Sequence, residues 1–451
     1  KSPYNTGEQF PKEQRKNNVV VGYKGNPEAW WPNNGPATPG LANLTVGMFP
    51  ANSWGLHDMH GNIEEWTSSE FSPYSSVEST DHEGEVSAAS EFYVSRGGSH
   101  GTPVYFLRSS ARFGSLPFVS NWLIGFRLVR TKKKIRIAQQ TDSLAHAGIS
   151  TASSLPPSKE IVNTQALNAP THSPYFRGPL RYVNIAQDHV ASFPFGHHNH
   201  DPAITYCPDG SMLAVFFSTW AEPDRECGLA SSRLDDPIKG NWSYPVPFYD
   251  TPGRLDTGPA FLWTSNNTKL VHWVAVAPAG TWGGVEVYQR ESLDCGKSWT
   301  PSRVPPGFGF HGYHSPAETA LVLSDGTWLL PTDDIGPLPE PYTLSSATMP
   351  GANGQISRFY LSHDQGISWS PSTGAIRGHH GSFVELKNGS IWGIGRNEGI
   401  IGKDGLSRMP QGITHDHGQT FEISATSLPN IHGGQRMVSL RLQEGPIIVV
   451  S

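Results

Sequence analysis

The chain has 451 residues, enough for two or three domains with buried cores. It carries 33 Lys and Arg against 39 Asp and Glu, a net charge of −6, and its long basic run is confined to Lys132-Lys133-Lys134, so a nucleic-acid footprint is excluded. With 48 Gly, 38 Pro and 14 Trp but only 16% charged residues, the composition is that of a turn-rich β protein, and no apolar run approaches the length of a membrane-spanning helix.

The first module is expected over residues 1–130. Its stretch from Pro50 to Trp66 is dense in Gly, Asn and aromatic residues and reads as an irregular loop wall with oxygen donors at short intervals. Arg96-Gly97-Gly98-Ser99, the run Leu107 to Arg112, and Ile124-Gly125-Phe126-Arg127 follow. In this order the four blocks resemble the C-terminal half of the formylglycine-generating, sulfatase-modifying-factor family, an irregular α+β fold of C-type-lectin type whose N-terminal half would be missing here.

That resemblance implies a calcium site at Asp58, Gly61, Ile63 and Glu65, where two carboxylates and two backbone carbonyls form a hard-oxygen set suited to Ca²⁺. The same acidic residues could instead bond neighbouring backbone N–H groups. Active members of the family oxidise a substrate cysteine with a copper-binding cysteine pair placed just after the Gly-Gly-Ser motif. Here His100, Thr102, Tyr105 and Phe106 stand there, and Cys207, Cys227 and Cys295 all lie in the other module. Copper therefore lacks its soft ligands, no organic cofactor is expected, and the module is expected to be catalytically silent.

Residues 131–174 form the expected linker, a basic cluster followed by a Gln-, Ala-, Ser- and Pro-rich stretch without strand or helix periodicity. The three cysteines show no CxxC spacing and allow one bridge at most, with Cys207 to Cys227 as the expected pair. The chain begins at Lys1 and ends inside the apolar run Pro446 to Ser451, so a piece cut at both ends is expected, with any signal peptide upstream.

The second module, residues 175–451, repeats one design: an apolar strand, a tight turn and a second apolar strand. The turns are Asp209-Gly210, Asp325-Gly326, Asn388-Gly389 and Glu444-Gly445, with a looser copy at Asn266-Asn267. The turn glycines Gly210, Gly326, Gly389 and Gly445 are separated by 116, 63 and 56 positions, the first being two steps of 58. Asn-Gly and Asp-Gly supply the positive backbone angles of a hairpin, and repeats of this length close most naturally into a β-propeller.

A second repeat has the form S/T-x-D-x-G-x-S/T-W/F and occurs at Ser292 to Trp299, Ser362 to Trp369 and Thr414 to Phe421, with a degenerate copy from Ser231 to Trp242. It reads as a hairpin staple: the Asp accepts N–H bonds across a turn, the Gly relieves it, and the aromatic anchors it between sheets. These boxes resemble the Asp boxes, or BNR repeats, of the sialidase superfamily. The resemblance implies an all-β, six-bladed propeller with about five blades in this chain and a secreted or periplasmic location.

Residues just before each inner strand should converge on the propeller axis. Reading those positions gives a histidine-rich ring with Asp, Tyr and Arg: His198 and Asp201, Asp256, Tyr313 and His314, His380, and Arg436. Imidazoles suit proton transfer near neutral pH, and arginines can hold a carboxylate or sulfate in a fork. The sialidase resemblance implies Arg396 and Arg436 as substrate-binding arginines, Glu318 or Glu398 as a helper carboxylate, and Asp201 or Asp224 as acid. The nucleophilic tyrosine would lie beyond Ser451, and the Phe-Arg-Ile-Pro entrance of the family is only echoed at Phe176-Arg177-Gly178-Pro179.

The leading expectation is a carbohydrate-active, sialidase-like glycoside hydrolase whose partner is an acidic glycan or polysaccharide, with no nucleic acid and no membrane span. A polysaccharide lyase using His and Tyr, and a glycan-binding protein without turnover, are the alternatives. An active formylglycine-generating oxidase is the least expected outcome.

Overall fold

The computed structural model describes residues 46–47, 50–72, 90–99, 102, 104–121, 123–129, 196, 198–219, 227–237, 240, 242–264, 268–278, 285–308, 316, 320–337, 353–431, 436–442 and 445–450. The linker expected over 131–174 lies outside the described residues, as do Asp224, Tyr313, His314 and Glu318.

The first module contributes strands β1 (Glu64–Glu70), β2 (Tyr93–Arg96), β3 (Phe113–Ser115) and β4 (Ile124–Gly125), in the order β3-β2-β1-β4. A single 3₁₀ turn, Val104–Leu107, is the helical element among the described residues of this module. The α part of the expected α+β fold is therefore not seen there. The blocks are too rich in Gly, Asn and Ser to sustain a 3.6-residue apolar period.

The second module is a succession of antiparallel sheets. Strands β5 (His198–Tyr206), β6 (Met212–Thr219), β7 (Gly228–Leu234) and β8 (Val246–Tyr249) pair in chain order, followed by β9 (Leu255–Trp263), β10 (Leu270–Ala277) and β11 (Glu286–Ser292). A third sheet runs β12 (Leu321–Val322), β13 (Trp328–Pro337), β14 (Asn353–Ser362) and β15 (Ser370–Pro371), with β16 (Ile376–Arg377) also on β14. The fourth contains β17 (His379–Glu385), β18 (Ile391–Arg396), β19 (Ile400–Ile401), β20 (Ser407–Thr414) and β21 (Glu422–Pro429), and the fifth is the hairpin β22 (Val438–Arg441) and β23 (Ile447–Val450). These are the expected blades of a propeller, five among the described residues.

The repeats do what their chemistry requires. Gly210, Gly326 and Gly389 have φ of 86°, 88° and 83°, and the preceding Asp209, Asp325 and Asn388 accept the N–H two residues on at 3.0, 2.9 and 3.2 Å. Each box follows the third strand of its blade. In the first box Asp294 Oδ1 accepts from the N–H groups of Lys297 and Ser298 at 3.0 and 2.8 Å, and its Oδ2 accepts from Ser298 Oγ at 2.6 Å. Asp364 with Ser368 and Asp416 with Thr420 repeat the arrangement.

The box aromatics wedge neighbouring blades together. Trp299 lies edge-on to Phe248 of the preceding blade at 5.6 Å, Trp369 edge-on to Trp273 at 5.6 Å, and Phe421 edge-on to Phe359 at 5.9 Å. Among the described residues, apolar clusters fill the seams between consecutive blades. The one between the first two blades also takes in Phe92, Leu116 and Val119 of the first module.

The first module docks on the second through a buried ion pair. Arg254 donates to both oxygens of Glu64 at 3.0 and 2.8 Å, and further to Ser95, Gly114, Ser115 and the Pro278 carbonyl, with side-chain exposures of 1% and 0%. Asn121 to Glu286 (2.7 Å) and the Ser302 N–H to Glu91 (2.7 Å) extend the contact.

The expected Cys207–Cys227 bridge is replaced by Cys207–Cys295, with a Cα separation of 5.8 Å. The register explains the change. Cys207 follows β5 at the Asp209-Gly210 turn, whereas Cys227 precedes Gly228, which pairs with Ser218 at the opposite end of the blade. Strand length separates the two far beyond the ~7 Å Cα reach of a disulfide, while Cys295 in the box of the next blade sits at the turn end. Cys227 is buried and reduced, its Sγ donating to the Asp256 carbonyl at 3.3 Å.

Candidate functional site: the inner-strand rim opposite the Asp boxes

Three inner strands share a local irregularity at their first residues. In β5 the register shifts between His200 and Ala203 and Asp201 has φ of 59°. In β9 the corresponding residue is Gly258, φ 56°, and in β17 it is His380, φ 50°, with a register shift between His379 and Ser382. Bulges of this kind re-aim side chains at rims and sites. Left-handed backbone at a non-glycine residue costs about 1–3 kcal/mol, so Asp201 and His380 are held there by their surroundings.

Those surroundings are polar groups from different blades. Asp201 is 3% exposed; Arg436 Nε donates to its Oδ1 at 2.7 Å, and the Gly258 N–H and Thr257 Oγ1 donate to its Oδ2 at 2.8 and 3.2 Å. Arg436 Nη1 also donates to the Pro316 carbonyl at 3.3 Å, and Pro316 bridges to Thr332, the neighbour of Asp333. Asp333 Oδ1 accepts the His380 N–H at 2.5 Å, while its Oδ2 lies 2.6 Å from His380 Nδ1 and 3.2 Å from His379 Nε2. The two imidazoles stack at 3.8 Å and 21°. Adjacent strand residues ordinarily face opposite ways. The bulge, together with Gly378 at φ 97°, brings both rings to one carboxylate.

The electrostatics follow from burial. Burial raises the Asp201 carboxyl above the usual carboxylate range, and Arg436 and the Gly258 N–H only partly offset it. Burial alone would also raise Asp333, but His379 and His380 outweigh it and hold that carboxyl well below its ordinary value. His380 is itself held well below the ordinary imidazole range by burial, against the attraction of Asp333.

The structure thus brings together Asp201, His380 and Arg436 of the expected residues, with Arg396 at the same end, where it closes β18 opposite His379 and is 3% exposed. Glu398 is engaged elsewhere, its Oε1 accepting the Gln355 N–H at 3.3 Å. Two expectations are corrected. Asp256 is turned away: Thr257 and Gly258 reach Asp201, so the residue before them faces the other side, where its carboxylate accepts the Thr251 N–H at 2.6 Å. His198 packs on Phe217, ring centroids 5.8 Å apart, and lies edge-on to His200, which makes it part of the aromatic packing of the first blade.

Asp333 was not among the expected residues, and His379 stood in the run before an inner strand without a role of its own. His379 is visible in the Gly378-His379-His380 run, and Asp333 in the acidic pair Asp333-Asp334 in the middle of an otherwise apolar strand.

In the first module, the positions expected to hold calcium are otherwise engaged. Both Glu65 oxygens receive the Arg127 guanidinium, Asp58 Oδ2 accepts the Gly47 N–H at 2.6 Å, and the Gly61 carbonyl accepts the Ile63 N–H at 3.0 Å. A calcium ion would have to displace a cation from Glu65, so the residues as arranged do not fit it.

The fold is a propeller of the Asp-box class with a cluster of buried polar side chains at its inner strand starts. The family model of the BNR repeat-like domain matches residues 210–451, more than half of the chain, which therefore belongs to that family. The model of the sulfatase-modifying factor enzyme 1-like domain matches residues 2–132. No curated protein matches the chain. Similar solved structures include a protein of unknown function from Dyadobacter fermentans (17% identity, 56% of this chain and 74% of that one, TM-score 0.43). Others are the K499G mutant of NanB sialidase from Streptococcus pneumoniae (12% identity, 59% and 60%, TM-score 0.42) and the Trypanosoma rangeli sialidase (14% identity, 56% and 43%, TM-score 0.40). The chain spans less than two thirds of the length of these two sialidases.

Proposed function

We propose that the axial rim is the active site of a glycoside hydrolase acting on carboxylated or sulfated glycans. The observation that carries this reading is Asp201, a buried carboxyl placed by a left-handed backbone against the Arg436 guanidinium at 2.7 Å. Burial moves Asp201 toward its protonated form, the state a general acid needs. As the glycosidic C–O bond breaks, Asp201 gives its proton to the leaving oxygen. Water then supplies hydroxide to the anomeric carbon and a proton to the carboxylate. Arg436 and Arg396 give this end of the propeller the cationic character that an acidic sugar requires. Membership in the BNR repeat family supports the reading. The first module serves in it as a docked scaffold, since all three cysteines lie outside residues 2–132. The Cys207–Cys295 bridge supports a secreted or periplasmic location.

The test is turnover of a panel of sialyl, uronyl and sulfated glycosides by the full chain. The wild type releases sugar, Asp201→Asn loses about 10²–10⁴ in kcat, and Arg436→Ala raises KM for carboxylated substrates more than for neutral ones. No release across the panel, or an unchanged rate in a folded Asp201→Asn protein, overturns the proposal. An ultraviolet-absorbing unsaturated product would overturn it too, showing elimination in place of hydrolysis.

A further inference from the structure

We infer that Asp333, His379 and His380 form a binding site for a divalent transition-metal ion, with Zn²⁺ as the fitting occupant. One ligand atom from each, a carboxylate oxygen and two imidazole nitrogens, lie within 4.8 Å of one another. The three residues come from two blades, Asp333 from β13 and the histidines from the start of β17.

The donor set selects the ion. Two imidazoles and one carboxylate suit zinc and its first-row neighbours, whereas calcium and magnesium take oxygen. Three protein ligands leave a fourth position for water or substrate, the pattern of a metal that acts on something. Asp333 is fully buried and is oriented by the His380 N–H on Oδ1, which leaves Oδ2 as the atom facing both rings. Such an outer hydrogen bond is what fixes a carboxylate ligand.

The backbone carries the second argument. A regular strand would send neighbouring histidines to opposite faces. Here Gly378 and His380 both adopt positive φ, and the register shift that follows stacks the rings over one oxygen.

The experiment uses the full chain, stripped with a chelator and dialysed against Zn²⁺, with bound metal counted by elemental analysis and affinity read by calorimetry. One equivalent per chain is expected. His379→Gln and Asp333→Asn each weaken binding by more than about 100-fold, because even outer-shell partners of a metal ligand are worth 10- to 100-fold. Co²⁺ in place of Zn²⁺ gives the visible absorption of a low-coordinate site in the wild type and loses it in both variants. The exposed His415 serves as a control, and His415→Gln keeps the full equivalent. Absence of bound metal in the wild type, or equal stoichiometry in the wild type and in both folded variants, overturns the inference. Because no step of the test reads sugar release, its outcome is separate from that of the hydrolase proposal.

Discussion

The two ends of the propeller use the same residue types to opposite purposes. At the box end, Asp294, Asp364 and Asp416 are each satisfied by hydroxyl and N–H groups within four residues. At the rim end, Asp201 and Asp333 are satisfied by groups 47 to 235 positions away in sequence: the His380 N–H in one case, Gly258 and Arg436 in the other. At Asp364 and Asp416 hydrogen bonds come first; the hydroxyl and N–H of Ser368 hold Asp364 down to about 2. The rim carboxylates are buried, so desolvation is the first influence on both. Local closure makes a staple, and closure through distant chain makes a site.

The comparison is broken most severely at Trp369, a box aromatic that is 5% exposed and touches Trp273, Phe308 and Trp328. Trp369→Ala removes the wedge between the second and third blades and is expected to cost about 3–5 kcal/mol, the range for truncating a buried aromatic side chain to Ala. Denaturant unfolding measures it. The turnover per folded molecule should remain that of the wild type, since the box end does not touch the rim. An equal loss in specific activity would show that the two ends are not separate.

What could be read in the sequence follows the same division. The hairpin turns and the three boxes were legible because each is closed by residues within a few positions, so a spacing such as Asp294 to Ser298 states the geometry outright. Arg436 and His380 were reachable through the repeat, which put them at inner-strand starts. Asp333 was not, because it lies midway along a second strand and becomes chemical only when the third and fourth blades meet. Asp256 was misplaced by one residue, enough on a strand to reverse its face. The Arg254–Glu64 pair joins positions in different modules, and nothing near either residue in sequence announces the other. The same holds for Cys295, whose partner is set by which blade ends adjoin.

A second, smaller effect sharpens the contrast through pH. His272 in β10 is fully buried among Phe248, Tyr249, Phe261 and Trp299, and its Nδ1 accepts from Arg290 Nε at 3.1 Å. Burial, with Arg290 adding to it, holds this imidazole well below its ordinary range. The folded protein therefore binds fewer protons than the unfolded chain once pH drops below the unfolded value of about 6.5. Stability attributable to His272 is complete above that pH and falls by up to ~1.4 kcal/mol per unit as pH is lowered toward the folded value. Thermal unfolding from pH 7.5 to 5 should show this decline, and His272→Gln should flatten it at the cost of a lower starting stability. An unchanged slope in that variant would transfer the acid sensitivity to groups at the rim.

The smallest effect tests whether a box aspartate works by charge or by shape. Asp294 Oδ1 accepts two backbone N–H groups and one hydroxyl, from Ser292, while Oδ2 accepts the Ser298 hydroxyl. Asp294→Ala leaves those N–H groups to solvent and should cost about 1 kcal/mol, as loss of a helix cap does by the same chemistry. Asp294→Asn keeps an acceptor oxygen for the two N–H groups and loses only the charged partner of Ser298, so it should cost less than half as much. Burial opposes ionisation of Asp294, but the Ser298 hydroxyl and N–H outweigh it and the carboxyl is lowered. Its contribution is thus present above the unfolded pKa of about 3.9 and fades as pH falls through the folded value. The Ala and wild-type unfolding curves should therefore approach each other below pH 4, whereas Asn, which has no proton to gain, should keep its offset from Ala at every pH.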